Sequence, residues 1–267
     1  MPNLAILLAP AEGKQPGGNP FAPDMFDYRT SGTFNYFEDL NPERRRLIDA
    51  LQTVIDEDEE ALEEVFDLEG YELEEAVRVD SEIYDAPLMS ALDRYSPGTM
   101  YAAMDFANLP TGAQRRLLEN GIIFSGLFGL LRPDDLIPNY RLSMNAELPG
   151  VGPVSEYWHE RMSPLLNKAL GDRFVWDLLP AVNRSAWDDE HAYEARVRVK
   201  FLDDGEPVDD ETHDIMRGHL VNFIVRETAE DLEELLEWES DEGYRYEEDE
   251  STFDEATKTW TITIHKS

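Results

Sequence analysis

The chain has 267 residues, 42% of them hydrophobic, and its 58 acidic and 23 basic side chains leave a net charge of −35. That apolar content excludes wholesale disorder, and the absence of cysteine excludes disulfides, thiolate metal sites and thiol nucleophiles. No apolar run approaches the length of a membrane span and no basic-then-apolar leader opens the sequence, so a soluble, cytoplasmic protein is expected.

Residues 4–9 are an apolar run that predicts an opening strand, ended by Pro10 and a Gly/Pro-rich loop reaching Pro23. Asn41-Pro42 places an N-cap before a proline at the first helical position, and Leu47, Ile48, Leu51, Val54 and Ile55 follow at helical spacing. The stripe continues through Leu62, Val65 and Phe66, predicting one or two further helices with an acidic outer face. Thr111 with Gln114 reads as a capping box, opening a helix that Asn120-Gly121 closes. Residues 122–131 follow as a buried strand with its turn. A helix is predicted over residues 155–162, and a second restarts at Ser163-Pro164 and closes at Gly171.

Residues 174–179 read as a buried strand halted by Pro180. Over residues 195–201, Val197, Val199 and Phe201 alternate with Arg196, Arg198 and Lys200, the pattern of a half-exposed strand. Residues 215–226 and 229–238 are helical by spacing, with Thr228 as the cap between them. Trp260, Ile262 and Ile264 alternate with threonines in a closing strand expected to pair with residues 244–246. No repeat or long linker forces a boundary. The elements therefore predict a mixed α/β (α+β) fold, a single compact domain over residues 1–267 with helices around a central mixed sheet.

Charge is spread unevenly. Residues 54–85 and 227–255 each carry 15 acids and one base, whereas residues 111–184 balance eight bases against eight acids. Acid-rich, lysine-poor surfaces keep proteins soluble in concentrated salt at the cost of self-repulsion. An anion would be met in the balanced segment. There, the run from Phe124 to Leu142 contains Gly126, Gly129, Arg132-Pro133, Pro138 and Tyr140-Arg141. The glycines permit close backbone approach and the prolines stiffen the chain, so Arg132 and Arg141 sit on a rigid loop suited to phosphate or carboxylate.

Lys14, delivered from the end of the first strand, completes the predicted anion site, with Glu12 as a tuning carboxylate or general base and Tyr140 as a wall. The alternative is structural: both arginines lock the loop by pairing with Asp134, Asp135 or backbone carbonyls. Ser125 lacks the flanking glycine of a nucleophile elbow. Arg115-Arg116, close to the helix start at Thr111, are candidates for contact with nucleic-acid phosphate. A surface this acidic weakens duplex binding at long range. No metal or cofactor is predicted. Asp210, His213, Asp214 and His219 come nearest to a metal set but lack a helical ligand pattern, and acidic runs such as 56–60 and 247–250 read as solvated faces.

The segment Ser125-Gly126-Leu127-Phe128-Gly129-Leu130-Leu131-Arg132-Pro133, with Asp135-Leu136 and Tyr140-Arg141-Leu142, resembles the central signature of the bacterial YaaA family of peroxide-stress proteins. The similarity continues in Leu7-Leu8-Ala9-Pro10-Ala11-Glu12-Gly13-Lys14, in Tyr157-Trp158, Leu166-Asn167, Arg217-Gly218 with Leu220, and Gly243-Tyr244. The resemblance implies a cytoplasmic oxidative-stress protein that limits free intracellular iron. It also implies an unusual mixed α/β topology with a helix-hairpin-helix-like element, and binding of double-stranded DNA, for which Arg115, Arg116 and Arg217 are the candidate contacts. Two places depart from the family's pattern. Asp177-Leu178-Leu179-Pro180-Ala181-Val182-Asn183 replaces an Asn-Leu-Ala-Ser-type segment, and His213, Asp214 and Ile215 stand where lysines are common. The alternative function is an enzyme acting on a phosphate- or carboxylate-bearing small molecule or nucleotide through Lys14, Arg132 and Arg141.

Overall fold

Five consecutive apolar residues, Leu4–Leu8, form strand β1 and are all buried, as a strand covered on both faces requires. The computed structural model describes residues 3–20 and 36–266, so the loop expected to continue to Pro23 leaves the described residues after Pro20. Three helices follow: α1 (Asn41–Glu57), α2 (Leu62–Phe66) and α3 (Gly70–Ser81). Next come β2 (Met89–Ser90), α4 (Ala91–Arg94), α5 (Thr99–Met104) and α6 (Thr111–Asn120). The glycine-rich run supplies β3 (Gly121–Ser125) and β4 (Gly129–Leu131), and short strands β5 (Leu136–Ile137), β6 (Glu147–Leu148) and β7 (Gly152–Pro153) precede α7 (Val154–Leu170). The remainder is β8 (Phe174–Asp177), α8 (Ala181–Ser185), β9 (Ala195–Asp203), β10 (Glu206–Pro207), α9 (Asp210–Glu227), β11 (Tyr244–Tyr246), β12 (Thr252–Asp254) and β13 (Thr259–Lys266).

The main sheet runs β11-β13-β9-β8-β1-β3-β4, with β10 beside β9 and β12 beside β13. From β13 through β3 every pairing is parallel, and the margins are antiparallel. This is the mixed sheet surrounded by helices that the sequence predicts, including the pairing of the last strand with residues 244–246. One consequence positions everything below. The carboxyl ends of β1, β3, β8 and β9 share one edge, where α/β sheets gather ligands.

Four local expectations are corrected. Thr111 is not a cap, because Pro110 occupies that position and lacks the N–H a capping box needs; the Gln114 side chain instead donates to the Phe106 and Ala107 carbonyls. The break at Ser163-Pro164 is absent, and α7 runs through it. Val154, Trp158, Met162, Leu166 and Leu170 are buried along one stripe, and Ser163 Oγ bonds back to the His159 carbonyl. Residues 229–238 form no α-helix, only a 3-10 turn over Glu234–Glu237. The Ala229 carbonyl accepts from Trp176 Nε1 at 2.9 Å, and five acids in nine residues oppose helical spacing. Finally, Arg196 is buried rather than on an open strand face.

The signature hairpin is clamped from both sides. Arg44, itself buried, donates to the Phe128 carbonyl (2.9 Å), the Leu130 carbonyl (2.6 Å) and Asn41 Oδ1 (2.8 Å). Trp158 Nε1 donates to the Gly126 carbonyl at 2.7 Å. A Cβ on Gly126 would lie 2.5 Å from the Ser143 carbonyl carbon, so glycine is what lets the segment carrying Tyr140 and Arg141 press against the strand end. Among the described residues, no helix is long and apolar enough to cross a membrane.

Candidate anion-binding site

Four of the five residues predicted for the anion site come together. The Glu12 carbonyl accepts from both Lys14 Nζ and Arg141 Nη1, each at 3.3 Å. Lys14 Nζ lies 4.4 Å from the centroid of the Tyr140 ring. The Tyr140 hydroxyl bonds both Tyr95 (2.6 Å) and Ser125 Oγ (2.8 Å) in the interior, so Tyr140 is a wall and Ser125 a buried polar anchor. Glu12 gives its carbonyl as the hydrogen-bond acceptor, and its carboxylate acts on Lys14 only through charge, which raises the ammonium's proton affinity.

Asp80, at the end of α3, is the residue that sequence reasoning missed. It is fully buried, accepts the Arg141 backbone N–H at 2.8 Å through Oδ1, and its Oδ2 has no hydrogen-bond partner. Burial pushes the Asp80 carboxyl up to about 7, against backbone N–H donation from Arg141 and the charge of Lys14. Burial and the neighbouring Arg141 bring the Lys14 ammonium down to about 7. Nothing in the sequence distinguishes Asp80 from the other acids of its run. Only its step off the exposed face of α3 does so.

Arg132 does not join them. Its guanidinium donates to the Leu118 carbonyl (2.9 and 3.3 Å) and the Glu119 carbonyl, and stacks 4.4 Å over Tyr36. Its backbone N–H is held by Asp135 Oδ2 at 2.7 Å. Arg132 therefore closes the end of α6, the structural alternative for this residue. The nucleic-acid candidates separate too. Arg115 pairs with Glu119 on the exposed face of α6, and Arg116 donates to the Val225 and Arg226 carbonyls at the end of α9.

Arg217 points elsewhere, into a cavity of about 380 Å³ beyond the carboxyl ends of β8 and along β9. Arg184, Arg198, Lys200, Arg217 and His213 line it, with Asp177, Pro180 and Phe201. Arg184 makes a two-point contact with Asp177, which is buried and also faces Arg196. Arg217 pairs with Asp214 at 2.9 Å. Burial lowers the proton affinity of Arg198 and Arg217, and Arg184 lowers both further by repulsion. Asp177 offsets part of that repulsion at both, and Asp214 does so at Arg217. His213, edge-on to Phe201, is brought down to about 4 by burial and by Arg217, so it is neutral at pH 7.

Of the two segments expected from the resemblance to be altered, residues 177–181 and His213 line this cavity. Strand alternation placed Arg198 and Lys200 on an open face, and it cannot show that α8 and α9 convert that face into a recess. No metal set forms from Asp210, His213, Asp214 and His219; among the described residues, no group of three or more His, Asp or Glu is placed to hold an ion, and His219 pairs with Glu242.

Tyr101 is buried with its ring 5.5 Å from that of Tyr95. Its hydroxyl donates to the Ala9 carbonyl at 2.7 Å, and burial, then Tyr140 and Asp214, hold its proton affinity well above the usual value.

Comparison with known proteins agrees with the motifs. A family described as "Peroxide stress protein YaaA" matches residues 4–250. A UPF0246 protein of Streptomyces coelicolor is 32% identical over 250 residues, covering 91% of this chain and 92% of that protein. An uncharacterized Campylobacter jejuni protein is 24% identical over 87% of this chain and 89% of its own length, and a UPF0246 protein of Cereibacter sphaeroides is 33% identical over 59% and 64%. With a match running almost from end to end and centred on the hairpin that builds the sheet edge, the chain belongs to the YaaA family of peroxide stress proteins.

Proposed function

We propose that this chain serves the peroxide-stress response by binding DNA, gripping backbone phosphate in the cavity lined by Arg184, Arg198, Lys200 and Arg217. The observation that carries the reading is that crowding of cations. In a chain of net charge −35, three arginines and a lysine share one recess at the sheet's carboxyl edge. Two arginines in it are destabilised by a third, and a bound phosphate relieves that repulsion. Helices α5 and α6, joined by residues 105–110, are the candidate for the helix-hairpin-helix-like element, and α5 packs against α9, which carries Arg217.

Fluorescence anisotropy with a labelled duplex in 0.1 M salt tests the reading. Saturable binding that weakens with added salt is expected; a flat signal with folded protein rejects it.

A further inference from the structure

A second recess lies beside the cationic cavity, and strand register builds it. Thr252 of β12 stands beside Thr261 of β13, Thr261 beside Arg198 of β9, and Arg198 beside Asp177 of β8. Partners in register share a face, so these four residues make one row across four strands. Two residues along, Asp254, Thr259 and Arg196 form a parallel row on the same face. Thr252, Thr261 and Arg198 of the first row, all of the second, and Thr257 line a recess of about 260 Å³. Phe253 borders it but lays its ring against Trp260, with centroids 4.7 Å apart, so hydroxyls and charges dominate the walls. Arg198 and Thr261 also line the cationic cavity of about 380 Å³, and the two spaces meet at those residues. The second row is satisfied internally. Arg196 Nε donates to Thr259 Oγ1 at 3.1 Å and its Nη1 pairs with Asp189 at 2.7 Å, while Thr257 Oγ1 and the Ala256 N–H donate to Asp254. At the junction the side chains stand open: among the described residues, Thr252, Thr261 and Arg198 make no side-chain hydrogen bond or ion pair.

We propose that the joined recesses bind a small free sugar phosphate, its phosphate in the cationic cavity, its hydroxyls on Thr252, Thr261 and Asp254, and Arg198 at the junction. The phosphate half of this site rests on the function proposed above; the sugar half is new. Asp254 decides what the second recess takes. A carboxylate only accepts hydrogen bonds and repels a second phosphate, whereas a sugar hydroxyl can donate to it and accept from another group at once. Thr257, then the Ala256 N–H, hold the Asp254 carboxyl below its usual range, so it is ionised at pH 7. Carboxylates recognise ribose hydroxyls in this way in dinucleotide-binding folds. Within duplex DNA the sugar hydroxyls are absent or esterified, so a duplex leaves the open threonines and Asp254 unused. The two spaces, about 380 and 260 Å³, suit one phosphate group and one small sugar.

Isothermal titration calorimetry of the full chain compares ribose 5-phosphate with methyl phosphate, which carries the same phosphate ester and no sugar hydroxyl. Ribose 5-phosphate is expected to bind about tenfold or more tightly, from one to three added hydrogen bonds. Thr252→Val keeps the β-branched shape at an exposed strand position, and should cut that ratio about threefold or more while leaving methyl phosphate unchanged. Arg198→Ala should weaken both ligands. Equal binding of the two ligands by wild type, binding of neither, or an unchanged ratio in folded Thr252→Val overturns the sugar subsite. Duplex anisotropy on the same preparations separates that failure from failure of the DNA reading. A duplex that still binds leaves the phosphate recess standing, whereas loss of duplex, methyl phosphate and ribose 5-phosphate together refutes both. If Thr252→Val does not fold, the wild-type ratio decides alone.

Discussion

Arg44, Arg94 and Arg132 end on main-chain carbonyls, whereas Arg184 and Arg217 reach Asp177 and Asp214 and Arg184 repels both Arg198 and Arg217, and that contrast separates scaffold from site. A guanidinium spent on carbonyls has few donors left for a guest, although the Nε of Arg94 finds no acceptor. Lys14 is a third case, an amine held where charge is disfavoured. Its proton affinity falls from 10.5 to about 7, chiefly through burial. The folded state therefore binds fewer protons there than the unfolded chain between those values, so the penalty is full below pH 7 and fades as pH climbs toward 10.5. Lys14→Met should be more stable than wild type at pH 6, by roughly 2–4 kcal/mol from the linkage relation. The gap should close by pH 10. Thermal unfolding of both proteins across that range checks the sign, and a gap that widens with pH contradicts it.

At this scale the sequence was half legible. The pairing of Lys14 with Arg141 follows from a strand-end lysine and a proline-stiffened loop, both visible as residue types. Arg132 looked equivalent to Arg141 because spacing cannot reveal that α6 ends with its carbonyls within reach of one and not the other.

Among the elements, α5 and α9 form a close joint. Gly218 sits inside α9, and a Cβ there would lie 2.3 Å from the Met100 carbonyl and 2.7 Å from Ala103 Cβ. Gly218→Ala should therefore destabilise by about 1–3 kcal/mol, although alanine is the better helix former on propensity alone. Denaturant unfolding measures it; a stabilised variant would mean that the two helices are not packed this way. Strands were readable because burial on both faces leaves unbroken apolar runs, as in β1 and β8. Asn120-Gly121 and Gly171 close α6 and α7 as expected, but two other helix boundaries were not readable. Pro164 is carried through α7 by its buried stripe, and Pro110 displaces the apparent cap at Thr111, so tertiary packing and one missing N–H override the local signals.

For the whole molecule, charge is the governing quantity. A surplus of 35 negative charges repels itself at low ionic strength, and screening shortens that repulsion to about 3 Å at 1 M salt. The melting temperature should rise steadily between 0.1 and 1 M potassium chloride, with little further change in a variant whose 54–85 acids are thinned by substitution to glutamine. A salt-independent melting curve for wild type would show that the acidic faces are too dispersed to matter. Composition announced this property at once. It could not announce the cationic recess, because Arg184, Arg198 and Arg217 come from α8, β9 and α9 and meet only when parallel strands align Asp177 beside Arg198.

The recess also makes the account's central claim measurable against that repulsive background. Duplex affinity is determined over a range of salt concentrations for wild type, Arg198→Ala, Arg217→Ala and the control Arg115→Ala, with circular dichroism confirming the fold at each salt. Removing one phosphate contact lowers the slope of log affinity against log salt by about 1. The account predicts that drop for Arg198→Ala and for Arg217→Ala, and an unchanged slope for Arg115→Ala. Equal slopes for all four proteins, or a drop confined to Arg115→Ala, would contradict it.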